Sequence, residues 1–248
     1  MSPVTDGFWG GIPLGPGVRL IASDPNGLGA LDKPDGVLSH PNSARDEKRS
    51  LVAAAYDPAS ESYAWAGGKL WLVNRLDSAT SGLILVASRE DVALAARAAF
   101  KGRQVKKAYK ALVFGKPGQP SESWRDVLSI DKSGGRVRAR AGGGNIPAEC
   151  RMTLERTWQA PARVSLLSLQ PLTGRSHQLR VQCAKRGLPI VGDQTYGNFA
   201  ANRAFAKSGG TKRMHLHSHS IAIGYALGGA RHEFSAESPV PAAFGPRA

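Results

Sequence analysis

The chain has 248 residues, with 33 Lys+Arg against 19 Asp+Glu and a formal net charge of +14. Apolar and charged fractions of 42% and 21% exclude a wholly disordered chain, and no apolar run approaches the roughly 20 residues that cross a bilayer. Two cysteines, Cys150 and Cys183, exclude a disulfide framework or a thiolate-rich zinc site, while the charge excess favours a polyanionic partner, chiefly nucleic acid.

Residues 1–17 are rich in Gly and Pro and lack a basic start followed by an apolar block, so they do not read as a secretory signal. The chain is expected in the cytoplasm. Apolar runs predict strands at 70–73 and 83–87, separated by the polar loop Asn74-Arg75-Leu76-Asp77-Ser78-Ala79-Thr80-Ser81-Gly82. Ser88-Arg89-Glu90-Asp91 reads as a capping box that opens a helix ending near Gly102. From Arg97 to Lys116 seven cations follow one another with no acid between them, the pattern of a phosphate-facing surface rather than a mixed-sign solvated face. A strand is expected at 109–114. The segment 133–145, Gly-rich with Arg136, Arg138 and Arg140, reads as a mobile hairpin tip. After a strand at 164–169, a second helix is expected to begin after Thr173 or Gly174 and to stop at Gly187, with a last strand at 220–224. Regular βαβ alternation is missing, as are G-x-G-x-x-G and Walker loops. The pattern is that of an α+β protein with a mixed, largely antiparallel sheet.

Four stretches could carry chemistry. Asp77 sits at a strand end among hydroxyls, with Gly82 permitting a tight return of the backbone. A turn Asp bonded to its own backbone is the plainer account. In Thr173-Gly174-Arg175-Ser176-His177-Gln178-Leu179-Arg180, helical spacing sets Arg180 at the border of core and cleft, where a guanidinium needs a carboxylate. Tyr109 stands among Lys106, Lys107 and Lys110, a ring between cations as in base-stacking surfaces. It is equally a half-buried strand Tyr. His215, His217 and His219 alternate, but no nearby Asp, Glu or Cys completes a metal site; Asp193 and Glu233 stand only at a distance. Histidines packed beneath a sheet, or lining an RNA cleft, fit better.

Taken together, these residues resemble the RluA-type family of RNA pseudouridine synthases. The ordered matches are Asp32 to His40, Asn74 to Gly82, Lys107 to Tyr109, Thr173 to Arg180 and Pro189 to Gly197. The resemblance implies a pseudouridine synthase fold over residues 31–248, with residues 1–30 an irregular extension. It implies a cofactor-free monomer, without metal, that isomerises uridine in structured ribosomal or transfer RNA. It places Asp77 on the catalytic aspartate, Tyr109 on the active-site tyrosine and Arg180 on the arginine paired with that aspartate. Arg75, Thr80, Lys106, Lys107, Arg175 and His177 are the expected RNA contacts. The chain departs from the family pattern at Asn74, where His is usual, which points to altered support or RNA contact rather than a lost nucleophile. A non-catalytic RNA-binding protein on the same scaffold, and a metal hydrolase built on the histidines, are the alternatives.

Overall fold

A computed structural model describes residues 7–131, 138–159, 162–208 and 210–245. They form two units, Met1–Lys106 with Ser218–Pro239 and Lys107–His217 with Val240–Ala248.

The first unit opens with a short helix, α1 (Gly7–Gly10), and strands β1 (Arg19–Ser23) and β2 (Leu28–Lys33). A 3-10 turn (Ala44–Arg49) leads to β3 (Ala55–Asp57), β4 (Ser62–Trp65), β5 (Gly68–Leu72), β6 (Ser81–Ala87) and helix α2 (Glu90–Lys101). β3 to β6 pair in succession, all antiparallel. β2 lies antiparallel to β6, from Leu28 opposite Ala87 to Lys33 opposite Gly82, and β1 pairs with β2. β6 is buried along its whole length because both of its faces are covered. Leu83, Leu85 and Ala87 pack with Val92, Ala93, Ala96 and Ala99 of α2. Ile84 and Val86 alternate to the other face and join Trp9, Leu31, Leu51, Tyr63 and Leu70. Each large side chain so buried stabilises the unit by roughly 1.5–3 kcal/mol, and this rigid strand begins where the Asp77 loop ends.

The second unit takes in most of β7 (Val105–Phe114), then β8 (Ser121–Asp131), β9 (Arg138–Ala141), β10 (Ile146–Trp158) and β11 (Val164–Pro171). They run antiparallel in the order β7-β11-β10-β8-β9. Helices α3 (Gln178–Lys185) and α4 (Phe199–Lys207) follow. β12 (Leu216–Leu227) carries the chain back into the first unit, where it pairs antiparallel with β13 (Ala230–Glu237). The expected α+β, largely antiparallel architecture is observed. Both cysteines are buried free thiols, and burial pushes that of Cys150 up to about 12 and raises that of Cys183 further.

Three local expectations need correction. The described part of the stretch expected to be irregular, residues 7–30, is not: Trp9 is 5% exposed, its ring lies so close to Gly29 that a Cβ there would stand 2.4 Å away, and β1 and β2 fall largely within it. The half-exposed β1 offers no two-residue alternation to read. Ser88 does not cap α2; its hydroxyl donates to Gly27 O (3.3 Å), while Arg89 occupies the N-cap and reaches Asp91. The second helix starts at Gln178, not directly after Thr173 or Gly174, because His177 adopts a left-handed conformation (φ 54°) that interrupts the spiral. Of the supposed hairpin tip, residues 138–145 form β9 and the Gly142-Gly143 turn, whereas Arg136 lies outside the described residues.

Candidate active-site elements

In the first unit, Asp77 occupies a turn clamped from several directions. β5 leaves the sheet after Leu72, yet Val73 N still donates to Leu85 O (3.0 Å). Asn74 Oδ1 then accepts the Leu85 N–H (2.8 Å) that a continuing strand would have taken. Ser39 Oγ donates to Leu76 O (2.7 Å) and accepts from Leu76 N (3.0 Å), and Tyr63 Oη donates to Ser39 O (2.7 Å). Thr80 N donates to Asp77 O (3.0 Å) and Gly36 N to Ser78 O (2.8 Å). Lys33, fully buried, donates from Nζ to the carbonyls of Pro34, Val37 and Ser78 at 2.8–2.9 Å. Gly82 closes the turn at φ +104°, and a Cβ there would stand 2.2 Å from Ser218 O. Only glycine satisfies both demands. The Asp77 side chain is left half-buried on a backbone that cannot drift.

Arg75 projects beside it, 57% exposed, with Nη1 3.4 Å from His40 Nε2 and 4.0 Å from Glu61. His40 in turn stacks on Tyr56, with ring centroids 5.1 Å apart. Thr80 is 3% exposed, against its expected role as an RNA contact, and its N–H shapes the turn by donating to Asp77 O. Lys106 is exposed at the end of this unit.

In the second unit, Tyr109 lies half-buried on β7, opposite Leu169 of β11. Lys107 is held below the ordinary lysine range by burial, and its ammonium lies beside Gly174, where a Cβ would stand 3.5 Å from Nζ. Arg175 is exposed and donates from Nε to Pro147 O (3.2 Å). The turn before α3 is tied by Gln178, which accepts from Thr173 Oγ1 (2.7 Å) and Arg175 N (3.1 Å) and donates to Glu149 O (3.0 Å).

Arg180 is buried, and its fork is gripped by Asp193: Nε to Oδ2 and Nη2 to Oδ1, both 2.8 Å. The carboxylate that takes this fork is Asp193, a partner that the resemblance did not supply. Asp193 Oδ1 also accepts from Thr195 N (2.8 Å) and Tyr196 N (3.0 Å). Burial opposes ionisation of Asp193, but the Arg180 hydrogen bond and charge, with these two N–H donors, outweigh it and hold the carboxyl below its usual range. The Arg180 guanidinium also lies over the Tyr196 ring, 5.1 Å from its centroid. In the sequence Asp193 stands within a family motif with no role attached to it; the signal that could have found it is that a buried arginine requires a carboxylate.

The alternating histidines pack rather than converge. His215 is fully buried, with Nδ1 3.1 Å from Val191 O and Nε2 3.3 Å from Thr211 Oγ1, against the rings of Phe205 and Phe244. Burial pushes its pKa down to about 4. His219 Nδ1 lies 2.8 Å from Ser238 O. Among the described residues no three His, Cys, Asp or Glu side chains gather as metal ligands.

Residues 28–185 match the family model for RNA pseudouridylate synthase. An RNA pseudouridine synthase of Mycobacterium bovis is 35% identical, covering 91% of this chain and 70% of its own. The tRNA pseudouridine synthase C of Yersinia pestis is 30% identical, covering 81% and 79%. Among solved structures, human RNA pseudouridylate synthase domain containing 1 superimposes with a TM-score of 0.68 at 26% identity, covering 91% of this chain and 86% of that one. The family match runs through the Asp77 turn, β7 and α3 alike, and the chain belongs to the RluA-type RNA pseudouridine synthases, enzymes that isomerise uridine within RNA.

Proposed function

We propose that Asp77 is the carboxylate that acts on the target uridine, in a structured ribosomal or transfer RNA, with the enzyme working as a monomer in the cytoplasm. The observation that carries this is the Asp77 turn, fixed by hydrogen bonds donated by Lys33, Gly36 and Ser39 and by the one that Asn74 Oδ1 accepts from Leu85 N. The name of the Yersinia relative supports transfer RNA as one substrate class.

The isomerisation breaks the C1′–N1 bond, joins C1′ to C5, sends the C5 proton to solvent and restores a proton to N1. Electron count is unchanged, so no oxidant or reductant enters. Tyr109 stacks on the detached base. Arg180, whose guanidinium Asp193 fixes, is the third residue of the proposed catalytic set. To react, the nucleotide must leave its stack at a cost of a few kcal/mol. RNA contacts from Arg75, Lys106, Lys107, Arg175 and His177 offset that cost.

Asp77→Asn tests the assignment. The turn is held through the Asp77 main-chain oxygen and through neighbouring residues, so the variant should fold and melt within a few degrees of the parent. An amide cannot serve as an ionised nucleophile or base. Chemical mapping of pseudouridine in total cellular RNA incubated with each protein should show the modification with the parent and none with the variant. Undiminished modification by Asp77→Asn refutes the assignment.

A further inference from the structure

A groove of about 990 Å³ opens in the second unit, walled by α3, β9 and the start of α4. Its lining includes two cations, Arg140 of β9 and Lys185 of α3, three rings, His177, Tyr196 and Phe199, and the amide of Gln194. No carboxylate is among the described lining residues. We propose that this groove is a second RNA site, which takes unpaired nucleotides of the substrate other than the uridine that reacts; the proposal rests on the pseudouridine synthase reading.

Four observations support an RNA strand as the occupant. The volume lies at the upper end of ordinary ligand pockets and leaves room for more than one nucleotide. Phe199 is 50% exposed, a large ring left in water, and it is presented from a rigid point: it is the first residue of α4, whose N-cap Asn198 accepts from Ala201 N (3.0 Å). Tyr196 is locked, its hydroxyl accepting from Ala139 N (2.8 Å) and hydrogen-bonded to His177 Nδ1 (2.9 Å). His177 itself is held at φ 54°, a conformation that non-glycine residues avoid and that persists where the surroundings impose it.

The charge agrees with the rings. Asp126, whose side chain is fully buried, is shared by Lys185 (2.6 Å) and Arg186 (2.9 Å), so two cations meet one carboxylate and a net positive charge is left. Lys185 remains 49% exposed, able to face a phosphate while it holds Asp126. Flat rings interleaved with cations on rigid supports are the means by which proteins hold single strands without reading their sequence. A protein partner would call for a mixed-sign rim, which the described lining lacks.

The test uses the full chain, a fluorescent ten-residue oligoadenylate and total cellular RNA. Oligoadenylate has no uridine and is not turned over, and the share of its binding that the groove carries is read from the groove variants. Phe199→Ala should weaken oligoadenylate binding roughly tenfold by removing the stacking ring. Arg140→Ala should weaken it and lower the log–log slope of affinity against salt by about 0.7, the value for one phosphate no longer neutralised on a single strand. On cellular RNA both variants should raise KM while keeping kcat within about twofold. Parent-like oligoadenylate affinity in both variants, with pseudouridine formed normally, overturns the second site and leaves the enzyme reading intact. Absence of pseudouridine with the parent protein overturns the enzyme reading, and with it the substrate role of the groove, even if oligoadenylate binds.

Discussion

Asp193→Asn isolates what the Arg180 pair is worth. The side chains are 8% and 1% exposed. The introduced carboxamide would keep one oxygen for the Thr195 and Tyr196 N–H groups but would turn its amide nitrogen toward Arg180 Nε, removing the Asp193 charge from beside a buried guanidinium. Breaking a buried pair from one side costs about 3–5 kcal/mol. For a chain of this size each kcal/mol moves the melting temperature by about 2–4 °C, so Tm should fall by roughly 6–20 °C. Thermal melting by circular dichroism reads the shift, and urea titration with an unchanged m-value shows that only stability has moved. Adding Arg180→Met removes the buried charge that Asp193 no longer balances while the carboxamide oxygen still serves the two backbone donors, so the double variant should be more stable than Asp193→Asn alone. A single variant that melts within 2 °C of the parent, or a double variant no more stable than the single, refutes the view of the pair as a mutually dependent buried unit.

The remaining expectations follow from the same geometry. Asp193 and Asp126 both have carboxyls held below their usual range, for each against the penalty of burial and by hydrogen bonds from cations. Their contribution is therefore fully present above the unfolded value of about 3.9 and is lost as pH falls through the lower folded values; acid titration of Asp193→Asn should show a shallower loss of stability below pH 4 than the parent. Asn74→Ala strands the buried Leu85 N–H and should cost about 1–3 kcal/mol in urea denaturation, whereas Asn74→His, the usual family residue, should keep turnover within an order of magnitude. Gly82→Ala combines a positive φ with a Cβ 2.2 Å from Ser218 O and should cost about 3 kcal/mol or more. Gly36→Ala, also at positive φ (+83°) but with no atom near its Cβ, should cost only about 1 kcal/mol; equal losses in the two glycine variants would show that the close approach at Gly82 does not matter.

The parts of this protein legible in its sequence are those where chemistry is local. β6 declares itself because Leu83 to Ala87 is an unbroken apolar run with alternating destinations. Asp77 stands out because polar residues interrupt two such runs, and Gly187 marks the end of α3 from a left-handed position (φ +67°) one residue past the C-cap Arg186. The start of α3 escapes such a reading because the sequence there is helix-compatible, whereas the left-handed His177 bonds to Tyr196, nineteen residues on. β8 and β10 alternate buried with charged, exposed residues, such as Trp124 and Asp126 beside Glu122 and Arg125. A buried Asp126 that pairs with two cations, Lys185 of α3 and Arg186 at its C-cap, breaks the rule by which a half-buried strand is recognised.

The supports of the site are illegible for a different reason. A hydroxyl such as Ser39 or an ammonium such as Lys33 has nothing to mark it until the fold carries it 37 or 45 residues to the main chain of the Asp77 loop. The same holds for Asn74. Read as sequence, it is a departure from a family motif and suggests a change in RNA contact. In the fold, its amide oxygen takes the place of a backbone carbonyl at the point where β5 leaves β6. The carboxamide presents an sp² oxygen that mimics the strand it replaces, while its own backbone is released to begin the turn. Substitution at this position therefore acts on where the Asp77 loop departs from the sheet, and a residue that cannot accept from Leu85 N must shift that departure point or leave a buried donor unmet.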